Sequence, residues 1–164
     1  MPAGNTYEAI ANTTISSTIT EVIFSSISSA YTDLILVVAP TAGAGADLAL
    51  RFNSDTGSNY SSTYVTGSGT AASSGRYSND TRIRTNYFGG TAGASGMQII
   101  QIMNYSNSTT NKTVLVRAGN TLYGTDAVVG LWRNTAAITS LRIFCDGGGN
   151  WTSGNISLYG IKAA

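Results

Sequence analysis

A chain of 164 residues with 42% apolar residues, 10% charged residues and a net charge of +1 can bury roughly 68–70% of its unfolded surface in one domain. The composition excludes disorder, which needs low hydrophobicity and high net charge, and scattered basic residues exclude a polybasic nucleic-acid surface. A lone Cys145 and no histidine exclude an intrachain disulfide, a CxxC site, and Ser/His/Asp or Cys/His catalysis.

Apolar residues recur at every second position or in short blocks, and none of the windows keeps a helical period. The fold class expected is all-β: an antiparallel, jelly-roll-like β-sandwich in a single domain spanning 1–164, with 1–14 as a possible N-terminal arm. A short strand around Tyr7 to Ala11 precedes a longer one from Ile15 to Ile27, in which Val22 and Phe24 share a face. In the next strand, YTDLILVVAP, Leu34, Leu36 and Val38 point one way and Ile35 and Val37 the other, so this strand needs cover on both faces and belongs inside a sheet. After the Gly/Ala loop TAGAGA, DLALRF places Leu48, Leu50 and Phe52 on one face, and the two strands are expected to form a hairpin.

The polar turn NSDTGSN leads into Ser61 to Thr66. The following GSGTAASSG, from Gly67 to Gly75, reads as a small-residue loop without packing capacity. In RYSNDTRIRTNYF, from Arg76 to Phe88, Arg82 and Arg84 alternate with Ile83, a pattern suited to an edge strand protected by charge. A second loop, GGTAGASG, precedes the apolar strand MQIIQIMN. Strands at Lys112 to Ala118, Asp126 to Arg133, Ile138 to Cys145 and Asn155 to Lys162 complete the set. Leu141, Ile143 and Cys145 share a face, which makes Cys145 a buried small apolar residue. Gly130, between Val129 and Leu131, marks a bulge or a close approach, and Gly147 to Gly149 permit positive φ before Trp151.

No apolar run approaches the roughly 20 residues of a membrane span, and the segment after Met1 lacks the basic and apolar regions of a signal peptide. The Asn53 to Asn59 turn mimics a calcium loop but fails the EF-hand register, since Ser58 stands where glycine is required and Tyr64 where glutamate is required. The residues leave open a weak, non-EF calcium site near Asp55. Glycosidase chemistry needs two facing carboxylates, and the acids of this chain sit mostly at turns, where Asp is favoured by its own hydrogen bonds. Neither an enzyme nor a cofactor is expected.

Three stretches carry a resemblance. ITEVIFSSISSAYTDLILVV (Ile19 to Val38), LRFNSDTGSNYS (Leu50 to Ser61) and the ending SLYGIKA (Ser157 to Ala163), supported by GLWRNTAAITSL (Gly130 to Leu141), resemble small β-sandwich virion structural proteins of tailed bacteriophages, of capsid decoration (cement) or tail-fibre type. The resemblance implies a protein made in the host cytoplasm and displayed on the virion, at the capsid surface in the decoration case. There it would bind across subunits of the major capsid protein as a homo-oligomer, with a trimer on a local threefold axis expected, and with neither nucleic acid nor membrane as partner. Arg76, Tyr77, Arg82, Arg84, Tyr87 and Phe88 are the candidate protein-interface residues, since arginines pair bidentately with acidic groups. The alternative is a tail-fibre or host-recognition module that binds cell-surface carbohydrate, with Tyr60, Tyr64 and Trp151 as candidate glycan contacts.

Overall fold

The structure, a computed structural model, describes residues 6–43, 47–85, 95–120, 122 and 124–162. These residues form twelve strands: β1 (Tyr7–Ile15), β2 (Glu21–Phe24), β3 (Asp33–Ala42), β4 (Asp47–Phe52), β5 (Tyr60–Gly67), β6 (Ala72–Asp80), β7 (Ile83–Arg84), β8 (Gly96–Met103), β9 (Lys112–Asn120), β10 (Gly124–Trp132), β11 (Leu141–Asp146) and β12 (Trp151–Ile161). All pairings are antiparallel. An eight-stranded sheet in the order β1-β12-β3-β8-β9-β10-β5-β6 packs on a four-stranded sheet in the order β2-β11-β4-β7. The chain is an antiparallel β-sandwich of jelly-roll-like kind, as its alternation requires.

The core lies between the sheets. Leu34, Leu36 and Val38 of β3, Ile100 and Ile102 of β8, and Val114 and Val116 of β9 come down from the large sheet. Leu48, Leu50 and Phe52 of β4, with Leu141, Ile143 and Cys145 of β11, rise from the small one. Burial of the Cys145 thiol pushes its pKa up to about 12, so it packs as an apolar group and stays protonated. Among the described residues one cation, Lys112, is fully buried. Lys112 of β9 donates from Nζ to the carbonyls of Thr110 (2.7 Å) and Thr135 (3.0 Å), and burial pulls its pKa below the ordinary value.

Four expectations change. β3 and β4 do not make a hairpin: β3 runs between β12 and β8 in the large sheet, while β4 runs between β11 and β7 in the small one. The connection is an arch between layers, and the apolar faces of the two strands meet through the core instead of lying side by side. The expected arm at 1–14 is in large part β1, paired with β12 from Tyr7↔Ile161 to Ile15↔Gly154; residues 1–5 lie outside the described residues. The long strand drawn from Ile15 to Ile27 is instead the end of β1 and the short β2. The small-residue loop is also shorter than expected, because Ala72 to Gly75 already belong to β6 and pair with Gly67 to Tyr64. Backbone pairing alone is enough to hold small side chains in an edge strand.

The two long sides of the sandwich are closed differently. On one side Ile19 and Trp151 exchange backbone hydrogen bonds of 3.0 and 2.8 Å, which buries the Trp151 ring completely. On the other side the chain leaves β6 of the large sheet, turns at Thr81–Arg82, and enters β7 of the small sheet. Ile83, fully buried, fills the space over Gly130, where an added Cβ would stand 2.6 Å from the Ile83 Cγ2. Gly130 is thus a close approach without a bulge, since β10 keeps register through it on both sides.

Candidate interaction surfaces

The arginines of the Arg76 to Phe88 segment divide between two places. At the β6–β7 corner, Arg82 Nε lies 2.6 Å from Asp146 Oδ2, and Arg84 Nη1 lies 3.0 Å from the same oxygen. Asp80 faces both arginines, at 2.9 Å from Arg84 Nε and 3.4 Å from Arg82 Nη1. Arg84 also covers the Tyr77 ring at 4.5 Å, and Tyr77 stacks on Tyr64 at 5.8 Å. Arg51 donates from Nε to the Thr81 carbonyl at 2.9 Å, which ties the turn to β4. Asp47 pairs in register with Asp146. Burial pushes its carboxyl upward, the Asp146 charge adds to the rise, and Arg84 opposes it. Two arginines and two aspartates close the sandwich here. The expectation that Arg82 and Arg84 stand ready for acidic groups of another subunit is corrected: their charges are already met within the chain.

Arg76 lies elsewhere. It is exposed on β6 opposite Thr63, and Thr63 pairs with Val129, so Arg76 belongs to the outer face of the large sheet. Tyr87 and Phe88 lie outside the described residues.

The aromatic candidates divide as well. Tyr60 and Trp132 stack at 6.2 Å, and Phe52 completes the cluster at 5.5 Å from Trp132. The Asn53 to Asn59 turn is built against this cluster. Asp55 accepts from the Trp132 indole Nε1 (2.8 Å), from Asn59 Nδ2 (3.0 Å) and from the Gly57 amide (2.8 Å). Burial alone would raise the Asp55 pKa, but these donors outweigh it and hold the carboxyl below its ordinary range. Asn53 accepts from the amides of Thr139 (2.9 Å) and Ser140 (3.1 Å), which fastens the turn to the loop before β11. The turn resembling a calcium loop is thus a buttress for the core, with its carboxylate committed to Trp132. Among the described residues no group of three or more His, Cys, Asp or Glu is placed to hold a metal.

Tyr60 and Trp151 have no exposed surface, and burial raises the Tyr60 hydroxyl to about 12. Both are removed from any glycan platform, because in an antiparallel sandwich the inward positions at strand ends are filled by the largest rings available. Only Tyr64 keeps part of its ring accessible.

The surface that stands out most has no local signature among the residues that form it. In β8, β9 and β10 successive residues alternate inward and outward. The outward set includes Met97, Met103, Leu115 and Val129, joined by Val65 of β5, which are 39–57% exposed. They lie on one face, since Val129 pairs with Leu115 and Val65 with Ala127. A depression of about 720 Å³ opens beside them, with Met97, Ile99 and Arg117 among its walls. An apolar run such as VLV in β9 is equally compatible with burial on both faces, so the sequence does not reveal which side stays open.

No family model matches the chain, and no curated protein matches it. Among solved structures it is similar to the exo-inulinase from Aspergillus awamori, with 12% identity and a TM-score of 0.39, over 94% of this chain and 29% of that one. The chain therefore spans less than a third of that protein, and likeness at this level carries neither kinship nor activity across. No helix among the described residues is long and apolar enough to cross a membrane.

Proposed function

We propose that the protein is a structural component of a tailed-bacteriophage virion, most specifically a capsid decoration protein that binds across major capsid protein subunits and holds them together. The carrying observation is the broad outward apolar face of the large sheet, on a sandwich whose own core is complete without it. A cement protein needs a stiff body and a sticky face and no chemistry: subunits cannot separate without also breaking its contacts, which stabilises the shell by linkage. The sequence resemblance supplies the virion setting. Three copies around a local threefold axis are part of the proposal, since homo-oligomers close on such axes.

The carbohydrate-binding alternative has less support in this geometry, because Tyr60 and Trp151, two of its three aromatic contacts, are buried. The test is the copy number of the chain in purified particles, measured by quantitative mass spectrometry. Hundreds of copies, co-purifying with heads separated from tails, are expected. A handful of copies confined to the tail fraction would overturn the decoration reading.

A further inference from the structure

The outer face of the large sheet has a pattern of charge as well as of hydrophobicity. Five strands, β3, β8, β9, β10 and β5, lie side by side there, and with strands about 4.8 Å apart and about 3.4 Å per residue the apolar area from Met97 to Met103 measures about 20 by 20 Å. That is at the scale where exposed apolar area marks an interaction site. Thr63, Thr113 and Thr125 lie within it, and its area is about half of the ~800 Å² that each partner buries in a standard interface.

Two guanidinium groups lie in the same field. Arg117 pairs in register with Ile99 on one side and Ala127 on the other, and Arg76 stands at the β6 edge opposite Thr63. Both are exposed, and among the described residues neither has an ion pair. The arginines of the β6–β7 corner are neutralised, and so are Arg142, by Glu21, and Lys162, by Glu8. On the outer face the acid is Asp33, at the end of β3, and both its oxygens are taken, by Gln101 Nε2 (3.0 Å) and the Asn104 amide (2.8 Å). Among the described residues this face therefore carries two arginines without an ion pair beside its apolar side chains, and its acid, Asp33, is engaged by Gln101 and the Asn104 amide.

We propose that this face is a docking surface for a different protein, one that presents an apolar patch carrying carboxylates placed for Arg117 and Arg76. A second copy joined through the same face does not fit. It would set guanidinium groups against an identical surface whose acid, Asp33, lies at the far end of β3 and already accepts from Gln101 and the Asn104 amide, and burying an unpaired charge is strongly unfavourable. The inference rests on the decoration reading and names the surface that reading requires, with the capsid shell as partner.

The experiment uses heads of the encoding phage grown without this chain, to which the purified full-length protein is added back and its binding measured. Leu115→Asp and Arg117→Glu should each weaken binding tenfold or more, while Ile23→Asp, at an exposed site on the small sheet, should bind as the unaltered chain does. Equal binding by all variants would overturn the assignment of this face while leaving the decoration reading intact. Failure of the unaltered chain to bind would overturn both. Sedimentation of the free protein, and its binding to phosphatidylserine vesicles, test the other occupants. A self-association abolished by Leu115→Asp, or vesicle binding abolished by Arg117→Glu, would replace the proposed partner with a second copy or a lipid surface.

Discussion

Arg82 and Arg84 on one hand, and Arg76 and Arg117 on the other, are chemically the same groups in opposite circumstances. The first pair stands half-buried at a corner of the sandwich, each guanidinium against Asp80 and Asp146. The second pair stands on an open face with Val65, Leu115 and Val129, and among the described residues neither has an ion pair. A charge met within the chain contributes to the fold, and one left unmet beside exposed apolar surface is available to a partner. Charge alone therefore does not identify an interface; its local compensation does.

The comparison can be broken most forcefully at its hinge. Ile83 sits between Arg82 and Arg84 and is fully buried over Gly130, so Ile83→Ala should cost about 3 kcal/mol of stability, read as a lowered midpoint in urea. Removing the acid shared by both corner arginines, in Asp146→Ala, should cost about 2 kcal/mol, since it leaves two partly buried guanidinium groups with one partner between them. A chain as stable as the original after that change would show that the corner is surface decoration only.

The carboxylates sharpen the picture through pH, with opposite signs. Asp55 is held below its ordinary value of 3.8, so its contribution is present above that value and is lost as pH falls through the lower folded value. Asp55→Asn should thus destabilise at neutral pH, with the difference shrinking in strong acid. Asp47 is raised above 3.8 by burial and by Asp146, so its contribution is greatest below that value and is lost as pH rises through the folded value. Asp47→Asn should stabilise at neutral pH and make no difference in acid. Thermal melts across pH 2 to 7 check both. The smallest effect belongs to the open face: Arg76→Ala and Arg117→Ala should each leave stability within about 0.5 kcal/mol of the original.

Much of the fold was legible because strand alternation is a local signal. The buried Cys145, the interior place of β3 and the turn at Asn53 to Asn59 all follow from residues within a few positions of one another, whereas Gly130 signals a bulge or a close approach and only Ile83, distant in sequence, decides for the second. What was not legible was long-range. The hairpin drawn between β3 and β4 fails because sequence neighbours can bury their apolar faces side by side or across a core, and local pattern does not distinguish the two. Asp80 lies four residues before Arg84, so half of the corner was visible, but Asp146 reaches it only through the pairing of β11 with β4. The glycan candidates Tyr60 and Trp151 sit beside polar turns, and position beside a turn does not say whether a ring faces solvent or the core, where both lie. The open face is not legible because VLV and AVV runs do not say which side another layer will cover.

The most direct measurement is an electron cryomicroscopy map of the assembled particle at a resolution that shows side chains. The account predicts Leu115, Val129 and Arg117 covered by a shell protein that places carboxylates against the guanidinium groups, with the Arg82–Arg84 corner keeping its own aspartates. A map with the large sheet's outer face in solvent and the corner arginines turned outward onto the shell would contradict it.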